Sequence, residues 1–422
     1  MIGLIRRLVE PSQQRTILVL LATLTVNMIG IGLLMPVLPD LVEDLAGDIS
    51  SGSIAYGWIV AAYALMQFFF SPLLGALSDR FGRRPILLFS LAGLGIHYLL
   101  MAVAPTLAFI TIVRIFGGMM GGSIGAGSAY IADITPPEKR AASFGLIGIA
   151  FGIGFIIGPG LGGLLGEIDV RLPFWAAALM CAGNLVIAWK FLPESLPKEN
   201  RRPFRFRDAN PVGAFILVSR YGAVVALMAV FAFTQLAERA MESTWVLFTK
   251  FRFDWGPVEV GISLLVVGLL IVFSEGYLVR VLVPRIGERR MLFGGLVVGG
   301  TCMLILTFAS SVWLVYLAIS FYVIGWGVVG PAARAIASRA VPRTEQGILN
   351  GAITSLQTAT GVIAPPIAAG LFGFFVGPDA PFVFPGVPFL IGTLMFIAAI
   401  AVARAPRVQR AIAAGATAPA AE

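Results

Sequence analysis

Long apolar runs alternate with short polar or charged breaks along the whole chain. The hydrocarbon core of a bilayer is roughly 30 Å thick, so a helical crossing needs about 20 mostly apolar residues. Twelve runs meet that requirement: 17–38, 53–75, 85–104, 107–131, 141–165, 173–192, 214–249, 257–281, 290–309, 312–337, 347–374 and 383–403. Backbone polar groups in lipid must be satisfied within their own segment, so each run is predicted to be a helix. The seventh is too long for one crossing. Asp208-Ala-Asn-Pro211 followed by Ser219-Arg220 predicts a short surface helix before a crossing that begins near Gly222. The expected fold is an all-α polytopic membrane protein with twelve transmembrane helices.

Composition points the same way: 58% of residues are hydrophobic, 12% are charged, and the mean hydropathy is +0.92. Such a chain is apolar outside as well as inside, which excludes an ordinary soluble domain. The net charge of +8 is distributed by topology. Arg6, Arg7 and Arg15 precede the first run, Arg80, Arg83 and Arg84 follow the second, Lys139 and Arg140 follow the fourth, and alternate breaks stay basic to the end. The intervening breaks carry only Arg171, Lys250 and Arg252, together with an acidic group of Asp40, Glu43, Asp44 and Asp48. Positive residues mark the cytoplasmic side, so both termini are predicted cytoplasmic, with the basic loops touching anionic lipid headgroups. No basic cluster is interleaved with aromatics on a soluble domain, so nucleic acid is not an expected partner. Residues 1–16 read as a cytoplasmic leader, since the first run is long enough to span. Cys181 and Cys302 lie in apolar runs and are read as packing residues, with no disulfide framework, metal spacing or cofactor.

An internal repeat divides the chain. Arg80-Phe-Gly-Arg-Arg84 recurs as Arg285-Ile-Gly-Glu-Arg-Arg290, with Pro284 in the second copy where Asp79 stands in the first. A Pro- and Arg-rich stretch lies between the copies. The predicted organisation is a six-helix bundle over 1–192, a linker with a short surface helix over 193–213, and a second six-helix bundle over 214–422. Paired bundles with a substrate site between them near the midplane are the expected plan of a secondary transporter. Each chain holds both halves, so a monomer is expected.

Four stretches carry a family resemblance. Gly75-Ala-Leu-Ser-Asp-Arg-Phe-Gly-Arg-Arg84, read as a charged surface loop, matches the signature between the second and third helices of the major facilitator superfamily. Gly30-Ile-Gly-Leu-Leu-Met-Pro-Val-Leu-Pro39, Tyr130-Ile-Ala-Asp-Ile-Thr135 and Gly154-Phe-Ile-Ile-Gly-Pro-Gly-Leu-Gly-Gly163 extend the likeness over nearly the whole chain. The last resembles the helix 5 motif of proton-driven exporters, and the chain is similar to their tetracycline/proton antiporter group. The resemblance implies export of a small amphiphilic organic compound by alternating access in exchange for protons, in the bacterial inner membrane.

It also implies roles for particular residues. Within a gating segment that includes Gly75, Arg80, Gly82 and Arg84, the residues Asp79, Arg83 and Asp133 would form a charge network that latches the cytoplasmic side, and Gly158 and Pro159 would help seal the cavity. A topology anchor and ordinary small-residue packing are the plainer readings of these two motifs, the latter preferred for Gly117, Gly118, Gly121, Gly122 and Gly125. Arg114 fits the buried helix 4 arginine of the exporters, and Gln67 matches a polar residue associated with drug binding.

Ionisable residues inside spans are costly in lipid and mark ion or substrate paths. Here they are His97, Arg114, Glu238, Arg239, Glu242 and Glu275. Glu238 and Glu242 share a helical face with Gln235 one turn earlier, and Arg239 is spaced to pair with Glu242, leaving Glu238 to load a proton. Asn27, Trp326 and Gln357 complete the expected pathway.

The chain departs from the family where Asn27, His97 and Gly299 stand at positions aligned with acidic residues. Either coupling has moved to His97 and the helix 7 and 8 glutamates, or the protein is not proton-driven in the family manner. The alternative function is a metabolite or lipid uniporter or exchanger; a non-transporting receptor or assembly factor is a further one. No nucleophile-base pair, phosphate loop or metal cluster is visible, so an enzyme is not expected.

Overall fold

The structure, a computed structural model, describes residues 13–136, 139–202, 222–339, 341–342, 346–406 and 409. Their regular elements are all helical. In chain order these are α1 (Gln14–Leu34), α2 (Leu38–Ala46), α3 (Ile49–Phe81), α4 (Arg83–Ala102), α5 (Leu107–Met120), α6 (Ser123–Ile134), α7 (Arg140–Ile168) and α8 (Leu172–Phe191). After the linker come α9 (Gly222–Phe253), α10 (Pro257–Phe273), α11 (Val279–Phe308), α12 (Val312–Arg339), α13 (Gln346–Val376) and α14 (Val387–Ala403). Taking α1 with α2, and α5 with α6, as single crossings, 11 segments are long and apolar enough to span, and the 17-residue α14 supplies the twelfth.

Four local features depart from the expected pattern. The first run breaks at Met35–Val37, where Pro36 cannot continue the hydrogen-bond ladder. The fourth breaks at Gly121-Gly122. The 75–84 segment is hardly a loop: α3 continues to Phe81, α4 starts at Arg83, and Gly82 alone makes the corner with a φ of 108°. Only glycine adopts that conformation cheaply. The eighth crossing ends in a π-turn, Ser274–Leu278. The surface helix expected around 208–220 lies outside the described residues, as does the side chain of Glu275.

The chain forms two compact units. Unit 1 comprises Met1–Leu45, Ala62–Asn210 and Gly256–Leu265; unit 2 comprises Ala46–Ala61, Pro211–Trp255 and Val266–Glu422. In unit 1 the pairing of α1 with α7 rests on glycines four residues apart, which fall on one helical face. A Cβ on Gly154 would sit 2.3 Å from Met28, on Gly158 2.8 Å from the Cα of Gly32, and on Gly162 2.3 Å from the carbonyl oxygen of Leu33. Lipid offers helices no hydrophobic reason to associate, so this backbone-to-backbone approach does the holding. In the same unit Leu20, Leu24, Leu87, Tyr130, Ile131 and Leu146 form a buried apolar core.

In unit 2, α11 meets α12 in the same manner, with Gly295 against the carbonyl of Gly325. Ser50 Oγ donates to the Gly373 carbonyl at 2.8 Å, tying the start of α3 to α13. Gly287 breaks α11 with a φ of 75°, at the position that corresponds in the repeat to Gly82.

Candidate functional site

The charge cluster at the α3–α4 corner is built around a largely buried guanidinium. Arg83 Nη1 lies 2.5 Å from Asp79 Oδ1, one turn back on α3, and Arg83 Nε lies 3.0 Å from Asp133 Oδ2 in the last turn of α6. Ser78 Oγ and Ser195 Oγ add hydrogen bonds to Arg83 and Asp133 respectively. The three residues expected as a network are thus in direct contact. Arg84 Nη2 donates to the Trp189 carbonyl, while Arg80 is exposed over its own neighbour Phe81. Gly75 has open space where its Cβ would be, so it makes no close helix contact.

Glu194 completes this cluster and was not among the expected residues. Its Oε1 accepts from the backbone N–H of Arg83 at 2.8 Å and its Oε2 from that of Arg84 at 3.3 Å, so it caps the start of α4. A Cβ on Gly82 would stand 2.3 Å from Glu194 Oε2. Tyr130 Oη donates to the Pro193 carbonyl at 2.5 Å and Arg202 N–H to that of Asp79 at 3.1 Å. The stretch after α8 is therefore strapped across the corner. The only sequence hint of this was its composition, carboxylates among prolines and basic residues.

Within unit 1, His97 is 1% exposed and its Nδ1 is 2.9 Å from the Val113 carbonyl, which assigns the ring proton to Nδ1. Its Nε2 is buried with no hydrogen-bond partner among the described residues. The ring is packed between Tyr98, Tyr63 and the bare Cα of Gly117. The Arg114 guanidinium sits over the Tyr63 ring, 4.5 Å from its centre, and within electrostatic reach of His97. Gln67 lies against Gly121 on the same side of α3, and Asn27 is buried in α1. Gly117, Gly118, Gly121 and Gly122 make the close contacts expected of them; Gly125 does not, with nothing within 4 Å.

In unit 2, Arg239 Nη1 meets Glu242 Oε2 at 2.6 Å, the pairing that the spacing predicted. Arg239 is also within electrostatic reach of Glu238, so the guanidinium serves both carboxylates where sequence reasoning assigned it to one. Gln235 is buried, Glu238 half-buried and Glu242 more open, a gradient along one face of α9. Tyr322 of α12, absent from the expected set, is buried within electrostatic reach of both glutamates, its hydroxyl without a hydrogen bond among the described residues. Trp326 and Gln357 are half-buried. Gly299 faces the fully buried ring of Phe396, whose Cε1 would be 2.7 Å from an added Cβ.

A twelve-crossing helical chain with an arginine-centred corner between its second and third crossings is a transporter scaffold. The family model that matches it, the Major Facilitator Superfamily, covers residues 20–365 and 281–422. The chain belongs to that superfamily and, within it, to the tetracycline/proton antiporter group. It is 40% identical over 358 residues to the tetracycline resistance protein, class C, of Escherichia coli, covering 84% of this chain and 89% of that one. It is 35% identical over 386 residues to the class H protein of Pasteurella multocida, covering 90% and 94%. The crystal structure of the human organic anion transporter MFSD10 is similar at a TM-score of 0.65 and 26% identity, over 92% of this chain and all of that one. A D-xylose-proton symporter shares the fold at a TM-score of 0.74 and 16% identity, over 93% and 98%. The protein is a transporter of the bacterial inner membrane and not an enzyme.

Proposed function

We propose that the protein exports a tetracycline-like amphiphile from the cytoplasm in exchange for protons, as a monomer with both termini cytoplasmic and its basic loops against anionic lipid. The observation that carries the substrate class is the 40% identity, over most of both chains, to a tetracycline resistance protein. The proton site is read from α9. Two carboxylates share one guanidinium there, so Glu238, Arg239 and Glu242 together hold one negative charge when all are ionised and none when one proton is bound. A half-buried cluster that alternates between those two charge states changes the relative energies of inward-facing and outward-facing conformations, which is what coupling requires. Arg114 and His97 supply the polar interior of the first half, and Asn27, Gln67, Gln235, Glu275, Trp326 and Gln357 belong to the same pathway. Asp79, Arg83 and Asp133 latch the cytoplasmic end.

The test is tetracycline accumulation in an efflux-deficient bacterium, with and without a protonophore. Protonophore-sensitive exclusion of tetracycline by the native chain is the expected result. Glu238→Gln, at the same membrane level, is expected to lower transport about ten-fold or more. Undiminished transport in both Glu238→Gln and Glu275→Gln would move the proton site elsewhere.

A further inference from the structure

The residue after the positive-φ glycine has opposite charge in the two copies of the corner motif. In the first, the residue after the left-handed glycine is Arg83, and it pairs with Asp133 in the last turn of α6. In the second, the residue after Gly287 is Glu288, and it pairs with Arg339 in the last turn of α12. The positions correspond: Gly82 and Gly287 are the same step in the repeat and share positive φ, with ψ values of 159° and 156°. On sequence the second copy had lost its latch, because Pro284 replaces the aspartate. The side chains show the ion pair rebuilt in reverse.

We propose that Glu288 and Arg339 are a second latch, holding the break in α11 at Gly287 to the end of α12 so that this end of unit 2 moves as one piece during transport. The polarity has a physical logic. A helix is partly positive at its start and partly negative at its end. Glu288 lies at the start of the helical stretch after Gly287 and Arg339 at the end of α12, so both charges agree with their helices. Arg83 and Asp133 both disagree with theirs, and the first copy carries Glu194 over the start of α4 to compensate. The second latch needs no such cap. Glu288 is also the more protected partner, its side chain 14% exposed against 48% for Arg339.

The inference rests on the transport reading, so active uptake by the native chain in the same preparation is the control that keeps the two apart. In inverted membrane vesicles with an imposed pH gradient and tetracycline as probe, Glu288→Gln and Arg339→Gln are each expected to slow uptake about ten-fold, with the half-saturating concentration unchanged. Glu288→Asp and Arg339→Lys, which keep the charges, are expected to stay within about two-fold of native. The double exchange Glu288→Arg with Arg339→Glu restores the pair against both helix dipoles and is expected to recover uptake in part. Native rates in the neutral variants would overturn the proposal, as would a double exchange no better than the single changes. If the neutral variants fail to reach the membrane, the double exchange decides alone: a chain that accumulates and transports supports the latch, and one that does not accumulate overturns it.

Discussion

Gly299 illustrates how one residue can look like a loss and be a replacement. Alignment with the antiporter group makes the position acidic, as it does those of Asn27 and His97. The ring of fully buried Phe396 occupies the space instead, so the site has been refilled with apolar volume. Restoring the acid by Gly299→Asp is expected to destabilise the protein by about 1–3 kcal/mol through overpacking, with a lower membrane level and no gain in transport. Adding Phe396→Ala should recover the level, which a detergent thermal-stability series would register. His97 departs from the family in a different way. It is packed on aromatic rings with one nitrogen committed to a carbonyl, so His97→Asn, which can still donate there, should retain more transport than His97→Leu. The in-span ionisable residues were legible because charge in an apolar run is conspicuous. Tyr63, Tyr322 and Phe396 were not, since an aromatic in a membrane helix is unremarkable until its neighbours are known.

Among elements, the corner between α3 and α4 concentrates the most specific chemistry. Gly82 is needed twice over: its φ of 108° disfavours any side chain, and a Cβ would displace Glu194. Gly82→Ala is therefore expected to cost about 1–2 kcal/mol for the backbone alone and further for the lost cap. Glu194→Ala should share the second part of that defect and Glu194→Gln much less of it, because an amide oxygen still accepts from the Arg83 amide. Comparing melting temperatures of the three separates backbone strain from capping. The α1–α7 seam is less forgiving. A Cβ on Gly162 would approach the Leu33 carbonyl to 2.3 Å, and a backbone atom cannot swing aside, so Gly162→Val is expected to abolish folded protein in the membrane. The existence and number of the crossings could be read from run length alone. Their breaks at Gly121-Gly122 and Met35–Val37 could not, because glycine and proline are tolerated inside lipid-embedded helices and only neighbours decide whether they bend or stop.

For the whole molecule, proton coupling sets a bound that can be checked. One charge moving through 100 mV gains about 2.3 kcal/mol, and at about 1.4 kcal/mol per decade that sustains roughly a fifty-fold gradient of an uncharged substrate. With a single site on α9, the accumulation ratio of tetracycline in clamped vesicles is expected to approach that limit and to rise about fifty-fold for each further 100 mV; a steeper dependence would require a second coupled proton. The class, the helical fold and the repeat were determined by the sequence alone, because hydrophobic run length, basic breaks and a corner motif are local properties read one residue after another. Which charges meet was decided by the tertiary structure. Glu194 reaches Arg83 across more than a hundred residues, and Glu288 meets Arg339 from 51 residues away. The reason is geometric: an ion pair depends on a few ångströms between side chains, and in a bundle of long helices that separation is set by which glycines let two backbones touch.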